Sequence, residues 1–134
     1  MHRTFYQLYR GLAWLFVAGA VLQFFLAGLG VFGAASFGPH QTVGKLLALA
    51  SLILLVLAAI LALSGGLSRG RVGLAVLLLG LMVVQWSLVA AFSEGEPALA
   101  ALHPVNGLLV LSVAFAIARG FELPTSRGFP RSRA

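Results

Sequence analysis

Two histidines stand at the heads of the second and fourth apolar runs of this chain, each followed by a glycine four residues on. His40-Gln41-Thr42-Val43-Gly44 is the first site and His103-Pro104-Val105-Asn106-Gly107 the second. On a helix, positions i and i+4 share a face. Each site therefore sets an imidazole beside a gap one turn along. If the two rings meet, the ligand that suits them is the iron of a b-type haem, held at both axial positions by His40 and His103. Two iron–imidazole bonds of about 2 Å each require backbones further apart than the ~8–10 Å of neighbouring helices, so the ligands belong on diagonal helices. A porphyrin also needs small residues beside its ligands. Gly44, Ala48 and Ser51 lie on the face of His40, and Gly107 and Ala114 on that of His103, with Val110 and Leu111 bulkier. Lys45, Thr42 and Asn106 are the polar neighbours suited to meeting propionates or fixing a ring tautomer.

Other chemistry has little to work with. The chain has no cysteine, which removes disulfides, thiolate metal sites and covalent haem attachment. Its three acidic residues, Glu94, Glu96 and Glu122, lie outside the apolar runs. There is no carboxylate pair, nucleophile–base arrangement or phosphate loop, so general acid–base work would fall to the histidines themselves. A competing reading makes them interfacial residues that snorkel beside glycines used for helix packing. The protein is then a cofactor-free membrane scaffold or assembly partner. A small transporter is a weaker third reading, because no charged residue sits mid-span and Pro104 lies near an interface. His2 reads as an ordinary terminal residue, and Met82 is too far along the chain from either histidine run to serve as an axial ligand.

The elements that must position these residues follow from the hydropathy. The 134-residue chain is 60% hydrophobic and 9% charged, and its apolar runs are of bilayer-spanning length. The expected fold is all-α: a four-helix membrane bundle over 1–122, with spans at about 12–33, 40–63, 72–92 and 98–119, then a disordered tail over 123–134. Residues 1–11 read as a basic, aromatic lead suited to the headgroup layer, followed by a retained span because the run exceeds a signal-peptide core. Pro39 and Pro97 are placed to begin helices, and Pro104 to kink the last one just after His103.

The net charge of +6 comes from arginines that flank the apolar runs, namely Arg3, Arg10, Arg69, Arg71, Arg119, Arg127, Arg131 and Arg133. This is topology rather than a nucleic-acid surface: both termini cytoplasmic, in a bacterial inner membrane, with the histidines towards the outer leaflet. The partners expected are the lipid bilayer and a redox partner or quinone, with no nucleic acid. No feature of the sequence fixes an oligomeric state.

The halves repeat. Gly19-x-x-x-Gln23-Phe24-x-Leu26 leads to His40, and Gly80-x-x-x-x-Gln85-Trp86-x-Leu88 leads to His103. Each half is an outgoing helix with a mid-membrane glutamine, then a returning helix headed by histidine. A duplicated helical hairpin with its axis along the membrane normal puts the second and fourth helices on a diagonal. Gln23 and Gln85 read as inter-helix hydrogen-bond glue, or as a polar lining near a haem edge or quinone.

Two resemblances attach to these residues. Leu102-His103-Pro104-Val105-Asn106-Gly107, Ala27-Gly28-Leu29-Gly30-Val31-Phe32 and His40-Gln41-Thr42-Val43-Gly44 resemble a small bacterial family of four-helix membrane proteins of unknown function, over nearly the whole chain. More distantly, the arrangement is similar to one four-helix half of haem A synthase, where histidines on the second and fourth helices ligate haem. That resemblance implies His40 and His103 as axial ligands. It does not imply the synthase's catalysis, because the first outer loop has no carboxylate ahead of His40.

Overall fold

The computed structural model describes residues 2–121. Five helices occur in this range: α1 His2–Val31, α2 Gly38–Leu63, α3 Arg69–Ser93, a single turn α4 Pro97–Ala100, and α5 His103–Arg119. Four segments are long and apolar enough to cross a membrane: Arg3–Val31, Gly38–Leu63, Arg69–Ala91 and Pro97–Arg119, the last comprising α4 and α5. The protein is a multi-pass, all-α membrane bundle, with no strand among the described residues.

α1 and α3 each pack against both α2 and α5. The helices thus form a square in which α2 and α5 face each other diagonally, as the duplicated hairpin requires. The core is one narrow stripe from each helix. Tyr9, Ala13, Phe16 and Ala20 come from α1, and Leu47, Ser51, Leu54, Ala58 and Leu61 from α2. Leu74, Ala75, Leu78 and Met82 come from α3, and Asn106, Val110, Ala114 and Ile117 from α5. Steps of mostly three and four residues are the spacing of knobs-into-holes packing. The remaining faces carry exposed apolar side chains such as Leu15, Phe25, Leu46, Leu49, Val83 and Leu108. In a bilayer these meet acyl chains, so their exposure has no hydrophobic cost.

The ends of the helices depart from expectation in two places. The basic lead is not a separate segment: α1 is helical from His2 and runs 30 residues, about 45 Å at 1.5 Å per residue. Tyr9 sits in the bundle core at 2% exposure. In the last span the regular α-helical hydrogen bonding is interrupted just before His103. α4 stops at Ala100 and α5 restarts at His103, which puts Pro104 in a first turn, where its missing N–H has no helical partner to lose. The tail expected over 123–134 lies outside the described residues.

α5 closes on Gly120, whose φ of 75° is left-handed. Phe121 N–H donates to the Ala116 carbonyl and Gly120 N–H to that of Ile117, the paired bonds of a Schellman cap. The Gly120 carbonyl in turn accepts from Arg71 Nη2 at 3.0 Å, while Arg71 Nη1 donates to the Tyr6 hydroxyl at 3.2 Å. One guanidinium thus ties α1, α3 and the end of α5 together at the face opposite the histidines.

A candidate histidine–glutamine site

Pro39 fixes the first turn of α2 and Pro104 that of α5, so His40 and His103 each leave the first turn of their helix at the same end of the bundle. Their rings meet across the diagonal, with centroids 6.1 Å apart and planes inclined by 64°. An ion gripped by both rings sets a similar separation, since two bonds of about 2 Å plus two ring radii give roughly 6 Å.

Each histidine is anchored by the helix before it. His40 Nδ1 lies 3.2 Å from the backbone carbonyl of Gln23, and His103 Nδ1 lies 3.3 Å from that of Gln85. A carbonyl only accepts, so Nδ1 carries the proton in both rings and the lone pair is on Nε2. This is the tautomer of a histidine that ligates through Nε2. The repeat seen in the sequence is therefore repeated in hydrogen bonds.

Beyond these anchors the halves differ. Gln85 Nε2 donates to His103 Nε2 at 3.1 Å and to the His103 carbonyl at 3.1 Å. Gln85 Oε1 accepts from Asn106 Nδ2, which also donates to the Leu81 carbonyl at 2.9 Å. Asn106 is 6% exposed, and the network satisfies both hydrogens of the Gln85 amide. In the first half, Val43 takes the position of Asn106, three residues after the histidine. There the Gln23 Oε1 is buried without a hydrogen-bond partner among the described residues. Among the described residues His40 makes one side-chain hydrogen bond, the anchor from Nδ1.

The two glycines are approached by side chains. A Cβ on Gly44 would lie 2.9 Å from Gln23 Nε2, and one on Gly107 would lie 3.4 Å from Phe24 Cζ and 3.6 Å from Gln85 Nε2. The room beside each histidine is thus taken by flexible side-chain ends and not by backbone. Lys45 and Thr42 lie on the exposed side of α2, and the Thr42 hydroxyl donates to the Gly38 carbonyl at 3.1 Å. Phe37 is an unforeseen neighbour. Its ring lies edge-on to His40 at 6.3 Å and covers Gly30, where a Cβ would come within 2.7 Å of it. The second half offers no aromatic counterpart three residues before its histidine, so the repeat carried no sign of this contact. No group of three or more metal-ligating side chains occurs among the described residues, which leaves the imidazole pair as the donor set.

Fold and site together define a four-helix membrane bundle with a layer of paired histidines and glutamines near one end. Residues 23–91 match the family of unknown function DUF6220, and the chain belongs to that family. The match takes in Gln23, His40, Gly44, Lys45 and Gln85. It covers about half of the chain rather than nearly all of it, and His103, Asn106 and Gly107 lie beyond it. No curated protein and no solved structure matches the chain, so the likeness to haem A synthase rests on the residue pattern alone.

Proposed function

We propose that this protein binds one haem b between His40 and His103 and serves in electron transfer or haem handling in a bacterial inner membrane, with both termini cytoplasmic. The observation that carries the reading is the imidazole pair: rings from diagonal helices, 6.1 Å between centroids, each with Nδ1 committed to a carbonyl and its lone pair on Nε2, which in His103 the Gln85 amide occupies. The donor set fits an iron porphyrin. Gly44 and Gly107 are where the macrocycle would pass, and Gln23, Phe24 and Gln85 are the side chains that must turn aside to admit it. Bound haem would supply one-electron chemistry. The chain's own part is to fix two ring orientations through the Gln23 and Gln85 carbonyls. Neither Lys45 nor any other described cation is hydrogen-bonded into the layer, so propionates would face the exposed end.

A second reading has its own support. The Gln85–His103–Asn106 network is satisfied without any ligand, as a cofactor-free scaffold or assembly partner would require. An absorbance spectrum separates the two. Protein purified in detergent from haem-replete cells is expected to show a Soret band that shifts on reduction and falls at least tenfold in a His40→Ala, His103→Ala double variant. A colourless preparation from such cells rejects haem binding and leaves the scaffold.

A further inference from the structure

The two histidines are matched in position but not in availability. His103 Nε2 already accepts a hydrogen bond from the Gln85 amide, and that amide is held in turn by Asn106. His40 Nε2 has no such partner among the described residues, and the matched glutamine, Gln23, has an unpartnered Oε1. The asymmetry accompanies a difference between the halves, Asn106 against Val43. With no second amide to orient it, the Gln23 side chain lies against Gly44 instead of its histidine.

We propose that Gln85, locked by Asn106, is an internal latch on His103, competing with iron for its Nε2, so that His40 is the primary ligand and His103 the conditional one. The proposal rests on the haem reading above and deepens it. Iron and an amide N–H cannot share one lone pair. Ligation by His103 therefore requires the Gln85 amide to swing off Nε2, breaking its bonds to His103 and straining or breaking the one from Asn106. His40 gives up no side-chain partner. A latch of this kind makes the second axial position releasable, which suits a protein that accepts or passes on haem better than one that holds it permanently.

The test is titration of haemin into the full chain, purified in detergent from haem-deficient cells and followed at the Soret band. Gln85→Leu is expected to bind haemin about 3–10-fold more tightly than the unmodified chain, the range that loss of one or two modest hydrogen bonds implies. Asn106→Val, which copies the first half, should move affinity the same way. His40→Ala should bind more weakly than His103→Ala, and in the Gln85→Leu background that difference should close. Circular dichroism checks that each variant folds. If Gln85→Leu does not fold, ¹⁵N spectra of histidine-labelled unmodified protein carry the test. They should show both rings protonated at Nδ1 with only His103 hydrogen-bonded at Nε2; two equivalent rings would overturn the latch. Haemin binding that is unchanged or weaker in both Gln85→Leu and Asn106→Val overturns the latch and leaves the haem reading standing. Absence of a Soret band in every form, the unmodified chain included, sinks the haem reading and the latch with it.

Discussion

At the scale of the residue, the instructive comparison is between two glutamines at matched positions with different surroundings. Gln85 has an acceptor in His103 and a donor in Asn106, and its amide is fully used. Gln23 has Val43 where an asparagine would be, and its Oε1 is left without a partner among the described residues. Polar side-chain bonds between membrane helices average ~0.6 kcal/mol with a maximum near 1.7. Asn106→Val, which loses the contacts to Gln85 and to the Leu81 carbonyl, should therefore destabilise the bundle by about 1–2 kcal/mol, read by equilibrium unfolding in mixed detergent and SDS micelles. An unchanged midpoint would mean that the buried network contributes little. Gly44 makes the complementary case. The atom nearest an added Cβ is the mobile end of Gln23 at 2.9 Å, so Gly44→Ala should cost less than about 1 kcal/mol. Gly44→Leu overfills the same space, and overpacking costs ~1–3 kcal/mol. Under the haem reading it should also lower haemin binding more than Gly44→Ala does.

At the scale of the element, helix ends decide where the site falls. The last span is built as a turn, a break and a helix, and the break puts His103 at the first position of α5 with Pro104 beside it. A proline in a helix interior costs ~3 kcal/mol, whereas at the first turn it removes no bond. Pro104→Ala is thus expected to change stability by less than about 0.5 kcal/mol. A large gain in the unfolding midpoint would mean that the proline strains a continuous helix. The opposite end of α5 is less tolerant. Gly120 has φ 75°, a region where a Cβ costs ~1 kcal/mol, and its carbonyl takes the Arg71 guanidinium. Gly120→Ala should lower stability by about 1 kcal/mol in the same unfolding experiment. The apolar spans themselves were plain from hydropathy. The extension of α1 to His2 was not, because the arginine- and aromatic-rich segment carries no apolar run to mark it as part of the first helix.

At the scale of the whole molecule, the square of helices fixes which residues can meet, and the arginines bear on which way the square faces. The chain contains no cysteine, so single cysteines report sidedness cleanly. Ser36→Cys and Glu94→Cys, in the two loops on the histidine side, should react with a membrane-impermeant maleimide in intact spheroplasts. Ser64→Cys should react only after permeabilisation. The reversed pattern would invert the proposed topology and put the histidine layer towards the cytoplasm.

Length, hydropathy and repetition are local or periodic properties of a chain, and they were enough to determine four membrane-crossing segments, the duplicated hairpin and the diagonal placement of His40 and His103. A bilayer leaves a long apolar segment little choice but helix, and a copied hairpin leaves little choice of partner. What side chains do once they meet depends on distances of a few tenths of an ångström between residues far apart in sequence. Only the tertiary structure could decide that Asn106 grips Gln85, that Gln85 caps His103 while Gln23 leaves its histidine uncapped, and that Phe37 leans on His40 across Gly30. Hydrogen bonding and ring packing are directional and short-ranged, and no spacing along the chain encodes the angle at which two helices bring their side chains together.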